Sequence, residues 1–296
     1  LHRWDLQHAM IQRLAQTAPG ALRLASCVDQ VVPRDEQVTL RFADARSERA
    51  DVVIAADGIR WTTRESLFNP APPVFTGYVA WRGLVDTAHL PPHLRESAVA
   101  FGQGRHINRY LVRRGELLNF VAVAQRNKWE AEGWNIPAPL DEFLDEFSSF
   151  DQSTRTVISR PVLGQLFKWG LFGRPWLEEW SRGQVVLLGD AAHPMLPHLG
   201  QGANQSIEDG IALATIVAQV DTSAVPASLL AYERLRRERV TQIQLGARQN
   251  GLRLDSAYAG LNVRDAELAA HAEFRKHLYA YDVVPDARAA AVALRQ

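Results

Sequence analysis

The sequence predicts a mixed α/β chain, and three observations carry that expectation. Two short runs, DVVIAAD (51 to 57) and QVVLLGD (184 to 190), are apolar without alternation, the pattern of strands buried on both faces of a parallel or mixed sheet. Between them, from about residue 72, prolines cluster and short strand-like runs follow one another, which reads as an antiparallel region. Apolar residues at helical spacing recur towards both ends.

Taken in order, Leu6, Met10, Ile11 and Leu14 predict a helix over 4–15 with one buried stripe, ended by Pro19 and Gly20. LRLASCV (22 to 28) and QVTLRF (37 to 42) predict antiparallel strands joined by the polar PRDEQ turn. Strands follow over 51–57, 76–85, 97–102, 107–113 and 117–124. Phe143, Leu144 and Phe147 share one face of a predicted helix over 138–149. The strand 184–190 leads into a helix over 203–220, and a long helix runs over 226–250. Its arginines at 234, 236, 237, 239 and 248 read as a solvated face. The Ala/Arg-rich tail at 287–296 is expected to fray.

Composition bounds the function. The chain has 296 residues, 47% apolar and 22% charged, which is ample for a sizeable core and excludes disordered and fibrous classes. Its 33 basic and 33 acidic side chains balance, which removes the electrostatic footprint of a nucleic-acid or anionic-membrane partner. Cys27 is the only cysteine, so neither an intrachain disulfide nor a thiolate zinc cluster can form. No window reaches the roughly 18 apolar residues of a membrane span. The opening LHRWDLQHAM has no apolar stretch of the signal-peptide kind, so a reducing, cytoplasmic setting is expected.

The richest stretch is GQVVLLGDAAHPMLPHLGQGANQSIEDG, residues 183 to 210. A buried strand ends at Gly189, and Asp190 places a carboxylate at its C-terminal end, where ligands of open α/β sheets bind. Such an acid suits a ribose hydroxyl. Gly200, Gln201 and Gly202 then stand at the start of the next helix, with free amides and the positive end of the helix dipole. An electron-rich heterocycle could be held there. The competing reading is a plain strand-turn-helix crossover, which a lone Gly-Asp pair would not exclude.

The whole stretch resembles the second flavin motif of the FAD-dependent aromatic hydroxylases, the group-A flavoprotein monooxygenases that include salicylate hydroxylase and 6-hydroxynicotinate 3-monooxygenase. DVVIAADGIRWTTRESLF (51 to 68) resembles that family's DG motif, and HRWDLQHAM (2 to 10) its HR-x-DL segment. TGYVAWRGLV (76 to 85), GELLNFVAV (115 to 123) and LYAYD (278 to 282) agree in order and spacing. The resemblance implies a partial Rossmann-like FAD-binding domain with an antiparallel-sheet substrate domain, as in the p-hydroxybenzoate hydroxylase-like fold. The expected division is 1–70 and 181–225 for the FAD-binding parts, 71–180 for the sheet, and 226–296 for a helical segment.

By the same resemblance Arg3 would meet the FAD, Val28 would lie by the adenine, and Asp57 with Gly58 would form the DG element. Gly189 and Asp190 would hold the ribitol or ribose region, and Pro197 would pack by the isoalloxazine. The amides of Gly200, Gln201 and Gly202 would face its N1 and C2 carbonyl, with Asn204 inside the matched pattern. Glu208 is read as a first-turn helix acid. His193 is expected to order the turn and His198 to face substrate. Two prolines separate them, and no carboxylate pair stands at ligand spacing, so no metal is expected. Trp81 and Arg82 stand where related hydroxylases carry an aromatic or histidine followed by arginine. Tryptophan cannot accept a proton, so an aromatic wall against substrate is expected there, with a core tryptophan as the alternative.

The family's amino-terminal GxGxxG portion is absent. Gly102 and Gly104 lie in the antiparallel region and cannot replace it, which leads to the expectation that the chain is a fragment. A corollary is that the 51–57 strand lacks its usual parallel neighbours and leaves an apolar edge. The implied activity is hydroxylation of a small phenolic or hydroxypyridine-type acid with FAD, NADH or NADPH, and O₂, and the assembly could be a homodimer. Two other readings are weighed. A flavin halogenase would need W-x-W-x-I-P, but Glu132 stands where the first Trp belongs, ahead of Trp134, Ile136 and Pro137. A cofactor-free binding protein derived from this family is the alternative from another class.

Overall fold

The computed structural model describes residues 2–34, 36–59, 62–69, 71–129, 133, 135–162, 164–254 and 261–295. The chain divides into two compact units. One comprises Leu1–Leu24, Phe75–Leu171 and Leu252–Ala257, and the other Ala25–Val74, Phe172–Gly251 and Tyr258–Gln296. Glu132 and Trp134 of the halogenase comparison lie outside the described residues, as do Arg60 and Trp61 of the DG stretch.

The first unit is built on antiparallel strands. β5 (Val74–Asp86), β6 (Ala98–Gly102), β7 (Arg105–Val112), β8 (Leu117–Gln125), β9 (Ile136–Pro137) and β10 (Phe167–Gly173) form a sheet in the order β6-β7-β8-β5-β10-β9. Alternation sends Trp81, Phe120 and Ala122 to one face, where they meet Phe143 of α3 (Leu140–Glu146) and Phe147 just beyond it. α4 (Gln152–Ile158) adds Val157 and Ile158; Asp151 caps it, accepting from the Thr154 amide at 3.0 Å. α1 (Arg3–Thr17) belongs to this unit rather than to the FAD-binding division expected for it. Asp5 explains the attachment, since its carboxylate accepts from Arg113 Nε at 3.0 Å and Nη2 at 2.8 Å. No residue of α1 is buried, which overturns the expected buried stripe: Trp4, Met10, Ile11 and Leu14 are exposed.

In the second unit, β1 (Val28–Arg34), β2 (Gln37–Phe42) and β3 (Ser47–Ala50) make an antiparallel meander. The first strand therefore begins where LRLASCV was expected to end. Pro33 lies within it, which is tolerated because β1 is an edge strand. β4 (Val53–Ala55) pairs in parallel with β12 (Val185–Leu187), whose other neighbour is β11 (Ser181–Arg182). β12 is buried throughout, as its unbroken apolar run predicts. β4 is an edge strand with one parallel neighbour, and Ile54 is half exposed, so burial on both faces does not hold there.

Helices complete this unit. α2 (Thr62–Leu67) follows the DG turn. α5 (Gly202–Val217), α6 (Val225–Leu254), α7 (Leu261–Ala280) and α8 (Val283–Ala293) follow the β12 turn. Leu213 and Ile216 of α5, Leu229 and Tyr232 of α6 and Ala287 of α8 join Val186 and Leu187 in one core. Up to Ala293 the tail expected to fray is helical: Asp282 caps α8 through the Val284 amide, and Ala287 and Ala291, one turn apart, are fully buried. No helix among the described residues is long and apolar enough to cross a membrane.

Candidate functional site

β4 and β12 run side by side with Ala55 opposite Leu187, so their C-terminal ends deliver two acids to one rim of the sheet. After β4 come Asp57 and Gly58, the latter with φ of +85°. The Asp57 carboxylate keeps one buried oxygen, Oδ1, without a hydrogen-bond partner among the described residues. After β12 come Gly189 and Asp190. Gly189 has φ of +63°, and a Cβ there would lie 2.7 Å from Ser206 Oγ, so both the turn and the helix behind it require glycine. Asp190 is exposed, and its Oδ1 stands 3.8 Å from where a Cβ on Gly202 would be.

The start of α5 is a donor surface. Gln201, its N-cap residue, makes no side-chain cap, and no acid stands in the first turn, so neither the cap nor the first turn itself answers the positive end of the dipole. Gly200, with φ of +64°, faces open space: a Cβ there would meet nothing within 4 Å. Its own amide donates to Pro197 O at 2.9 Å, so the donor set differs from the expected trio and begins after it. Gln201 is buried, and its Nε2 has no partner among the described residues. Asn204 is exposed and donates to Gln201 Oε1 at 3.4 Å, while Pro197 is exposed on the preceding turn.

Several residues that local patterns did not single out hold this rim in place. Arg64 of α2, 1% exposed, donates to Ala191 O (3.1 Å), Ala192 O (3.2 Å) and Pro175 O (2.7 Å), tying the helix after the DG turn to the turn after β12. Burial, with the charge of Arg174 nearby, pushes Arg64 down to about 10. Arg174 reaches Ile59 O, Ala71 O and the Glu65 carboxylate. Behind Gly189, the Asp209 carboxylate accepts from the Gly189 amide (3.1 Å), His193 Nε2 (2.6 Å) and Arg236 Nε (2.9 Å). Arg236 is fully buried, contrary to the solvated face expected of its helix, and also reaches Glu208 Oε2 and Gln205 Oε1, each at 2.7 Å. Glu208 lies past the first turn of α5 and pairs with Arg236 and Arg239, so it is not a dipole-facing acid.

The remaining predicted residues divide. Val28 opens β1, partly buried against Val31 and Val38. His198 is 8% exposed and packs on α6, where a Cβ on Gly251 would lie 2.7 Å from its ring. Arg3, Trp81 and Arg82 belong to the other unit. Arg3 is exposed at the start of α1. Trp81 is a core tryptophan, 1% exposed and edge-on to Phe147 at 5.6 Å, because alternation turns it to the helix-covered face. That position excludes the aromatic wall. Arg82 points to the opposite face, where its Nε donates to Asn119 Oδ1 at 3.4 Å. No cluster of metal-ligating side chains occurs among the described residues.

Comparison with known proteins gives a consistent set. A family model described as FAD binding domain matches residues 148–246. A 3-amino-4-hydroxybenzoate 2-monooxygenase of Streptomyces platensis is 34% identical over 290 residues, covering 96% of this chain and 72% of the relative. A 6-hydroxynicotinate 3-monooxygenase of Pseudomonas fluorescens is 31% identical, covering 82% of this chain and 63% of the relative. The solved structure of a salicylate hydroxylase substrate complex superposes with a TM-score of 0.84 at 32% identity, covering 98% of this chain and 75% of that one. The chain thus spans about two thirds to three quarters of the length of these proteins.

Proposed function

Since this chain belongs to the FAD-dependent aromatic monooxygenases, we propose that it holds FAD at the rim formed by Asp57, Asp190 and the start of α5, and serves the hydroxylation of a small phenolic or hydroxypyridine-type acid. The observation that carries this reading is the approach of the Asp190 carboxylate to an uncapped helix N-terminus with open space in front of Gly200. The residues fit the cofactor chemically. Asp57 Oδ1 is a buried acceptor in need of a donor, and Gln201 Nε2 is a buried donor in need of an acceptor.

FAD supplies the redox chemistry, taking a hydride from NADH or NADPH and activating O₂. The protein's share is placement and charge. Asp190 accepts hydrogen bonds from hydroxyls of the cofactor's sugar chain, and the leading amides of α5 favour negative charge on a ring set before them. Arg64 holds the Ala191 and Ala192 carbonyls inward, so that both acid turns keep one geometry.

Titrating FAD into the chain tests this. Saturable quenching of flavin fluorescence is expected, with Asp190→Ala weakening binding about tenfold, the loss of roughly one charge-assisted contact. NADH oxidation should then accelerate with a hydroxybenzoate or a hydroxypyridine acid. A chain that folds and leaves flavin fluorescence unchanged would favour the cofactor-free binding protein instead.

A further inference from the structure

One carboxylate in the second unit makes contacts that packing alone does not require. Asp209 lies in the second turn of α5, with 0% of its surface exposed. Its Oδ2 accepts the Gly189 amide at 3.1 Å and His193 Nε2 at 2.6 Å, while Oδ1 accepts Arg236 Nε at 2.9 Å. Gly189 and His193 are the two ends of the five-residue turn that carries Asp190. Asp209 therefore pins both ends of that turn to α5.

The chemistry of the contacts narrows what they do. A carboxylate only accepts, so His193 Nε2 carries the proton of this contact, while Nδ1 faces no partner among the described residues and the ring packs against Trp180. The ring then acts as a rigid spacer between Asp209 and the end of the turn. A buried ion pair such as Asp209 with Arg236 is a poor source of net stability, since desolvation cancels most of its attraction. What it supplies is a fixed geometry, because only one placement satisfies all three donors at once.

We propose that Asp209 is a positioning residue for the flavin site, setting the distance between the Asp190 carboxylate and the amides that open α5 through its simultaneous hold on Gly189 and His193. The inference rests on the flavin reading above but concerns a different residue, which touches no cofactor. His193 is the second member of the device, and Arg236 supplies the counter-charge that keeps the carboxylate ionised.

A double-mutant cycle read by FAD fluorescence quenching tests it. Asp209→Asn is expected to raise the FAD dissociation constant at least tenfold in the otherwise unaltered chain, and less than threefold when Asp190 has already been changed to Ala. That non-additivity is what action through Asp190 requires; a merely structural role weakens binding by the same factor in both backgrounds and overturns the proposal. Should Asp209→Asn give no cooperative melting transition, His193→Gln carries the same cycle, because it loosens one end of the turn and leaves the Asp209–Arg236 pair intact. Absence of FAD binding by the unaltered chain would defeat the flavin reading itself, whereas binding with additive losses defeats only the role of Asp209.

Discussion

Three donors converge on the Asp209 carboxylate where water does not reach, and the balance of forces there has a consequence in acid. Burial by itself would push the carboxyl up, but the hydrogen bond and charge of His193, together with Arg236, hold it below its ordinary value of 3.8. A group whose folded value is depressed contributes stability above its unfolded value and loses it as the pH falls through the folded one. The melting midpoint should therefore drop steadily from about pH 5 downward, and Asp209→Asn, less stable at neutral pH, should show a flatter acid limb over the same range. Parallel limbs for the two proteins would contradict this. None of it could be read locally: Arg236 and Asp209 are 27 positions apart, and an arginine run on a helix has the same appearance whether one member faces a buried acid or all face solvent. Arg64 was equally hidden, since its partners are carbonyl oxygens that every sequence offers. Gly189 and Asp190, by contrast, adjoin in one short turn, in which a missing side chain and an acid each have a local meaning, and the φ of +63° at Gly189 agrees with that reading.

At the scale of elements, the β7–β8 hairpin carries a strain that its sequence does not need. Arg113 and Arg114 have φ of +49° and +57°, a left-handed region that costs a residue with a Cβ roughly 1–2 kcal/mol. Arg113 has a use there, because its guanidinium holds Asp5 of α1. Arg114 is exposed, so Arg114→Gly should stabilise the chain by about 0.5–1 kcal/mol once glycine's larger unfolded-state entropy is subtracted. Urea denaturation would register this as a higher midpoint at an unchanged slope, and a lower midpoint would refute it. Short strand-like runs located β5 to β8 within a few residues, although only β6 and the second half of β5 alternate cleanly and β8 is buried along most of its length. Pattern failed at 22–28, where apolar residues lie in exposed, irregular chain, and at α1, whose amphipathic stripe meets no described covering element. Periodicity reports that a face is suited to burial; whether a neighbour exists is a fact of tertiary structure.

For the whole molecule, the decisive feature is how the chain is apportioned. Neither unit is a single segment, and β5 and β10 each cross from one unit to the other part-way along their length. The division expected from the sequence already joined 1–70 with 181–225, but composition shifts mark segments and not the contacts that gather α1 with the sheet and α6 to α8 with the strands of the other unit. The two units differ in self-sufficiency. Every member of the aromatic core of the sheet unit, from Val79 to Leu166 and including Trp81, Phe120 and Phe143, comes from the continuous stretch Phe75–Leu171. The core of the other unit draws on Ala55, Val186, Leu229 and Ala287, spread over more than two hundred positions. Residues 74–173 expressed alone should therefore fold, since about a hundred residues with one contiguous core is an ordinary domain size. Its amide NMR spectrum should be dispersed and its thermal unfolding cooperative, whereas residues 172–296 alone, which lack β4 and α2, should show neither. A molten 74–173 would mean that this stretch needs other parts of the chain to fold, and that its contiguous core is not sufficient.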